Sequence, residues 1–169
     1  MDIREYVEIK IIPGGQMHEN AYVGGVVFRK NVSDKRMTAR GSISKPRVLL
    51  LAGGIEFQRS DAKFSSLETL IEQENKYLEI LVEKILSLRP DVIIVGKSIS
   101  RRAQEQLSAL SIVALQNVKS KQLNRIARML GATVLPSTDH MIQQNGDECI
   151  GRNARSANTR LVNPIPLNS

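Results

Sequence analysis

Several groups of side chains in this sequence are of types that can do chemistry. Ser137, Asp139 and His140 lie close together and are the residue types of a hydrolytic triad, in which histidine takes the proton of a serine nucleophile and a carboxylate orients the ring. They follow the last apolar segment of the chain, at the start of a polar stretch. A nucleophile needs rigid surroundings that hold it in reacting geometry, so His140 reads as a surface histidine. Gly53-Gly54 follows an apolar run, and Val95-Gly96-Lys97-Ser98 ends as a phosphate-binding loop does. A phosphate cradle needs a glycine-rich loop that runs directly into a helix N-terminus. After Gly53-Gly54 the next helical pattern starts only near Ser65, and Gly96 lacks the preceding glycine and loop. Both read as tight turns. His18 stands in a polar loop. With Cys149 the only cysteine, the two histidines do not complete a zinc site of any usual spacing, and no intramolecular disulfide can form. A single cysteine suits a reducing compartment.

Carboxylates give a weaker signal. Glu72 with Glu74, or Glu79 with Glu83, could be posed as acid–base pairs. On one long helix they read as a solvated outer face, with Glu79 and Glu83 at a like-charge spacing, and nothing in the sequence marks a cleft beside them. The segment Arg101 to Leu110 offers Arg101, Arg102, Gln104, Glu105, Gln106 and Ser108 on its outer side. It reads either as a solvated helix or as a recognition surface for another protein.

The elements that would position these residues follow from hydrophobic period. Val7 to Ile11 alternates and stops at Pro13-Gly14-Gly15, which predicts a strand. Tyr22 to Lys30 predicts a second, with a bulge or close approach at Gly24-Gly25. Lys35 to Lys45 is basic and polar and reads as an exposed loop. Val48 to Ala52 is a continuous apolar run, as in a strand buried on both faces. Ser65 and Glu68 have the spacing of a capping box ahead of a long helix, in which Leu67, Leu70, Ile71, Leu78, Leu81, Val82 and Ile85 share a stripe and which Pro90 ends. Val92 to Val95, Ile112 to Leu115 and Ala132 to Leu135 are further short strands. Between them lie one helix capped by Ser98 or Ser100 and one capped by Ser120, the latter closed by Gly131. Alternating buried strands and amphipathic helices predict a parallel sheet with right-handed crossovers. From Gln143 on, the chain is polar and basic, with a short strand near Cys149-Ile150.

The 169 residues suffice for one domain with a core, 41% of them are apolar, and no run approaches the roughly 20 apolar residues that cross a bilayer. Met1 to Lys10 carries Asp2, Glu5 and Glu8 and resembles neither a secretory signal nor a transit peptide. The formal charge of +7 reads as a solvated basic surface. A nucleotide or phosphoinositide site on the basic loop Lys35 to Arg47 is a second reading, with salt-dependent binding of anionic lipid. Basic and aromatic residues are not interleaved as in single-strand nucleic-acid binders.

Taken in order, several motifs resemble the apical domain of group II chaperonins. These are Ile12-Pro13-Gly14-Gly15, Gly25 to Val32, Pro46 to Leu51, Glu72 to Leu78, Arg89 to Val95 and Asn124 to Ala132, with order and spacing kept from about Met1 to Ser137. Met1 to Val7, Gly54 to Arg59 and Phe64 to Glu68 are more similar to the chaperonin-like domain of the FYVE-containing phosphatidylinositol 3-phosphate 5-kinases of the PIKfyve type. The segment between Arg59 and Glu72 is shorter than the chaperonin counterpart that forms the helical protrusion. Gly146-Asp147 does not continue into the chaperonin Gly-Asp-Gly-Thr-Thr motif.

The resemblance implies an α/β fold, a three-layer β/β/α sandwich of the apical-domain type whose strand-helix repeats form a mostly parallel sheet. It places an apical-like domain at 1–140 and a divergent, partly disordered tail at 141–169, with the family pattern departing from Gly151. It implies a non-catalytic piece of a longer ATP-dependent lipid kinase, without a cofactor or metal of its own and without nucleic acid. Such a piece docks the regulatory scaffold and 5-phosphatase of the complex that makes phosphatidylinositol 3,5-bisphosphate. It would do so in the cytoplasm, at endosomal or vacuolar membranes reached through other parts of the parent. The alternative is the apical substrate-binding domain of a group II chaperonin subunit of the CCT/thermosome type, holding unfolded protein. Chaperonin clients bind a groove between a helix of the Arg101–Leu110 type and a neighbouring loop. By position this implies Arg101, Arg102, Glu105, Gln106 and Ala109 as partner-binding residues.

Overall fold

The structure is a computed structural model of the chain, and it describes residues 6–11, 13, 16–40, 42–43, 45–57, 67–138, 150–151 and 159–160. In chain order these hold β1 (Ser42–Ile43), β2 (Val48–Leu51), α1 (Leu67–Ser87), β3 (Val92–Val95), α2 (Arg101–Ala109), β4 (Val113–Leu115), α3 (Ser120–Leu130), β5 (Ile150–Gly151) and β6 (Thr159–Arg160).

The apolar runs form the centre of the fold. β2, β3 and β4 pair in parallel, with Val48 opposite Val92 and Val92 opposite Val113. Every residue of the three is buried, as a parallel sheet covered on both faces requires. Their side chains alternate between two cores. Leu49, Leu51, Ile93, Val95 and Ala114 point to Leu78, Leu81 and Ile85 of α1 and to Ala103 and Leu107 of α2. Val48, Leu50, Val92, Ile94, Val113 and Leu115 point to Leu123, Ile126, Ala127 and Leu130 of α3, with Val26, Phe28 and Val32 packed beside them. The chain therefore steps from β2 to β4 with α1 and α2 on one face, then returns under the other face through α3. Its return strand narrows to one bridge, Leu135 to Leu51. Ala132 N–H is spent on Ala127 O, closing the helix, and Pro136 follows Leu135, so the ladder expected over 132–135 has no room to lengthen. β5 pairs antiparallel on the same edge of β2, where a short strand was expected, and β1 pairs antiparallel with β6.

Helix ends follow local chemistry. Ser100 caps α2, its side chain accepting from Ala103 N–H at 3.4 Å. Gly131 ends α3 at φ 63°, a left-handed position that costs glycine nothing sterically. Ser120 does not cap α3: Lys119 occupies that position without a side-chain bond, and Ser120 is already the first helical residue. The capping box at Ser65 lies outside the described residues, as does most of the shortened protrusion segment.

The N-terminal third departs most from expectation. Among the described residues no ladder runs along 7–11 or 22–30. Val7, Ile9 and Ile11 are 58%, 85% and 90% exposed, so their alternation buries nothing that would fix a register. In the second segment Gly25 N–H bonds back to Val23 O, which turns the chain, and Val26 and Phe28 reach the core as single side chains. The basic stretch after Lys35 is not a free loop either. It is a 3-10 turn, Lys35–Arg40, in which Met37 is 5% exposed. The outer edge of β4 explains this. Ser33 N–H and Oγ both donate to Ala114 O, and Ala114 N–H faces Met37 Sδ at 3.3 Å, so the turn covers an edge that would otherwise stay open.

Candidate functional site: a groove between two helices

At the carboxyl ends of the parallel strands, where open α/β sheets commonly take ligands, loops meet backbone to backbone. A Cβ on Gly96 would stand 2.6 Å from Ala52 O, one on Gly53 2.9 Å from Pro136 O, and one on Gly54 2.9 Å from Ser98 O. The N–H groups that a phosphate cradle would aim at an anion are occupied: Gly96 N–H donates to Leu51 O at 2.8 Å and Lys97 N–H to Gly53 O at 3.2 Å. The glycines read as tight turns are needed for close approach between loops.

His18 is exposed on a short 3-10 turn. Ser137 is half-buried, and Asp139, His140, Gly146, Asp147 and Cys149 lie outside the described residues. Among the described residues, no group of three or more His, Cys, Asp or Glu could hold a metal ion. None of the described helices is long and apolar enough to cross a membrane.

The surface around α2 is organised. Ala103 and Leu107 anchor the helix on the sheet, which turns Arg101, Arg102, Glu105 and Ala109 to solvent and leaves Gln106 half-buried. Arg102, Glu105, Gln106 and Ala109 line a groove of about 440 Å³ whose other wall is α1, through Asn75, Leu78 and Glu79. Arg101 stands outside it on the crest of the helix, its side chain 92% exposed, and donates from Nε to Glu105 Oε1 at 3.3 Å. Of the five residues marked by position, four thus come together and the fifth braces one of them.

The segment that covers the β4 edge flanks the same helix. Arg36 donates from its side chain and backbone to Asp34, holding that carboxyl below its ordinary range, and nearby Arg101 acts in the same direction. Asp34 in turn raises Arg36, with a smaller contribution from Glu105. Charges of both signs therefore alternate across the crest of α2 and the adjoining turn.

Sequence reasoning missed the α1 wall. It placed Glu79 on a solvated face with no cleft nearby, yet Glu79 borders the groove. Asn75 and Gln106 bring two amide oxygens there, Asn75 Oδ1 and Gln106 Oε1, that are shielded from solvent and have no hydrogen-bond partner. The signal available in the sequence was the spacing of Asn75 and Glu79, which sets them one turn apart on the flank next to the buried Leu78.

The resemblance puts the second wall of the groove on a loop, whereas here it is helix α1. The parallel sheet with α1 and α2 on one face and α3 on the other is a fold of the chaperonin apical type. The chain belongs to the TCP-1/cpn60 chaperonin family, whose pattern it matches over residues 1–161. That span passes Gly151, from which the chain was expected to depart from the family pattern, and takes in β5 and β6. A group II chaperonin, solved as an open-state monomer from Methanococcoides burtonii, superposes with a TM-score of 0.67 at 23% identity, over 89% of this chain and 31% of that one. A 1-phosphatidylinositol-3-phosphate 5-kinase of Arabidopsis thaliana is 43% identical over 88% of the chain. The human 1-phosphatidylinositol 3-phosphate 5-kinase is 38% identical over 84%. The chain spans only 8% of the length of the plant relative and 7% of the human one.

Proposed function

We propose that this chain is the chaperonin-type docking segment of a phosphatidylinositol 3-phosphate 5-kinase, doing no chemistry itself and holding other proteins of the kinase complex on the α2 side of the sheet. The observation that carries this reading is the 43% identity with the plant lipid kinase across 88% of the chain, against 23% with the chaperonin structure. The closed strand ends and the open helix groove support it. They offer a small molecule little enclosure and a polypeptide a ready seat. In this reading the occupants are the regulatory scaffold and 5-phosphatase, phosphoryl transfer takes place in another part of the parent, and that parent works in the cytoplasm at endosomal or vacuolar membranes. The fold likeness favours a second reading, the client-binding domain of a group II chaperonin subunit.

A steric plug tests the proposal. Ala109→Trp fills the mouth of the groove from an exposed helix end and leaves the core untouched. Retention of the purified scaffold–phosphatase pair on the immobilised chain should fall at least about tenfold, roughly 1.4 kcal/mol, with the unfolding transition unchanged. Undiminished retention refutes docking through this groove. Retention of a chemically unfolded protein but not of the scaffold–phosphatase pair favours the chaperonin reading.

A further inference from the structure

The α1 wall carries a charge opposite to that of the whole chain. Glu68, Glu72, Glu79 and Glu83 are all exposed. Their spacing sets them on one stripe of the helix, on the flank where Glu79 borders the groove. Among the described residues none of the four takes part in an ion pair. Across the groove Glu105 adds a carboxylate already braced by Arg101, and Arg102 is the cation of the lining. Two lining residues also hold acceptors without donors, Asn75 Oδ1 and Gln106 Oε1, both shielded from solvent. An occupant that suits such a wall brings positive charge and N–H groups and few acceptors, as lysine and arginine side chains do.

We infer that the α1–α2 groove takes a Lys- or Arg-bearing segment of a partner protein, its cations meeting Glu72, Glu79 and Glu83 and its donors reaching Asn75 and Gln106 once those side chains turn outward. This rests on the docking reading given above and adds the chemistry of what docks. The carboxylates from Glu72 to Glu83 span about 16 Å of helix, which an extended segment of roughly five residues covers. The net charge of +7 does not oppose this at close range. At physiological salt, charges more than about 8 Å apart are largely screened, so the carboxylates at the groove govern the last step of approach.

The test uses short fluorescein-labelled peptides that share one Leu-Ala frame and carry Lys, Gln or Glu at the remaining positions, with binding to the full chain read by fluorescence anisotropy. The Lys peptide should bind tightest and the Glu peptide weakest, and added salt should narrow the gap. The double variant Glu79→Lys with Glu83→Lys should weaken the Lys peptide by roughly fivefold or more, and Arg102→Glu should strengthen it. Exposed surface substitutions of this kind leave folding nearly unchanged, and circular dichroism checks that. Equal binding of the three peptides, tighter binding of the Glu peptide, absence of binding, or indifference to the charge variants overturns the inference. Ala109→Trp separates the two levels. If the plug abolishes peptide binding while the charge variants do nothing, docking stands and its basic chemistry falls. If the plug changes nothing, the docking reading falls with it.

Discussion

At the scale of single residues, close approach decides more than reactivity does. Gly96 is the clearest case, because the atom 2.6 Å from its absent Cβ is the backbone oxygen of Ala52 and cannot swing aside. Gly96→Ala must therefore part the ends of β2 and β3 or bend the turn between them. Overpacking of this kind costs about 1–3 kcal/mol, and thermal unfolding followed by circular dichroism should show a lower midpoint. A variant as stable as the parent would mean that the loops are not held as tightly as the contact implies. Lys97, beside it, has no comparable steric constraint: its side chain is exposed, and its backbone donates to Gly53 O and accepts from Asn117 N–H.

At the scale of elements, the two short helices are started by different means, and the difference is measurable. α2 begins at a serine whose oxygen takes the Ala103 N–H, whereas α3 begins at Lys119 with no side-chain bond. Ser100→Ala should cost about 1 kcal/mol, the usual loss for a helix cap. Ser120→Ala should change stability by less than about 0.5 kcal/mol, as an ordinary surface substitution does. Paired urea titrations of the two variants check this, and equal losses would contradict the caps described. Because α2 carries the crest and one wall of the groove, fraying at Ser100 would also loosen the mounting of Arg101 and Arg102.

For the whole molecule, stability rests on the sheet between its two cores. Ile93 lies at the centre, fully buried on the central strand and facing α1 and α2. Ile93→Ala should cost about 2–5 kcal/mol through lost burial and a cavity. That is a large share of the 5–15 kcal/mol typical of a domain, and denaturant midpoints should fall accordingly with an unchanged slope. The groove depends on the same packing. Its two walls are seated on one floor of strand residues, through Leu78, Leu81 and Ile85 on α1 and Ala103 and Leu107 on α2. A core variant that shifts either helix should weaken docking without touching a groove residue.

The sequence by itself determined the elements whose signal is local and strong. Short apolar runs bounded by turn residues and rich in branched side chains suit strands covered on both faces, and β2 and β3 are such strands. The buried part of the α1 stripe, Leu78, Leu81, Val82 and Ile85, and the stop at Gly131 are likewise written in neighbouring residues, whereas Ile71 of the same stripe stays exposed and the choice of Ser100 over Ser98 as the α2 cap was left open. Tertiary structure alone decided the rest, because the energies involved are long-range. Whether Val7 to Ile11 becomes a strand depends on a partner that alternation cannot supply. Met37 left an apparent loop for the core because the distant edge of β4 needed cover. Glu79 came to border a groove because a helix more than one turn of fold later packed beside it, and a helical period records which way a side chain points, not what stands opposite.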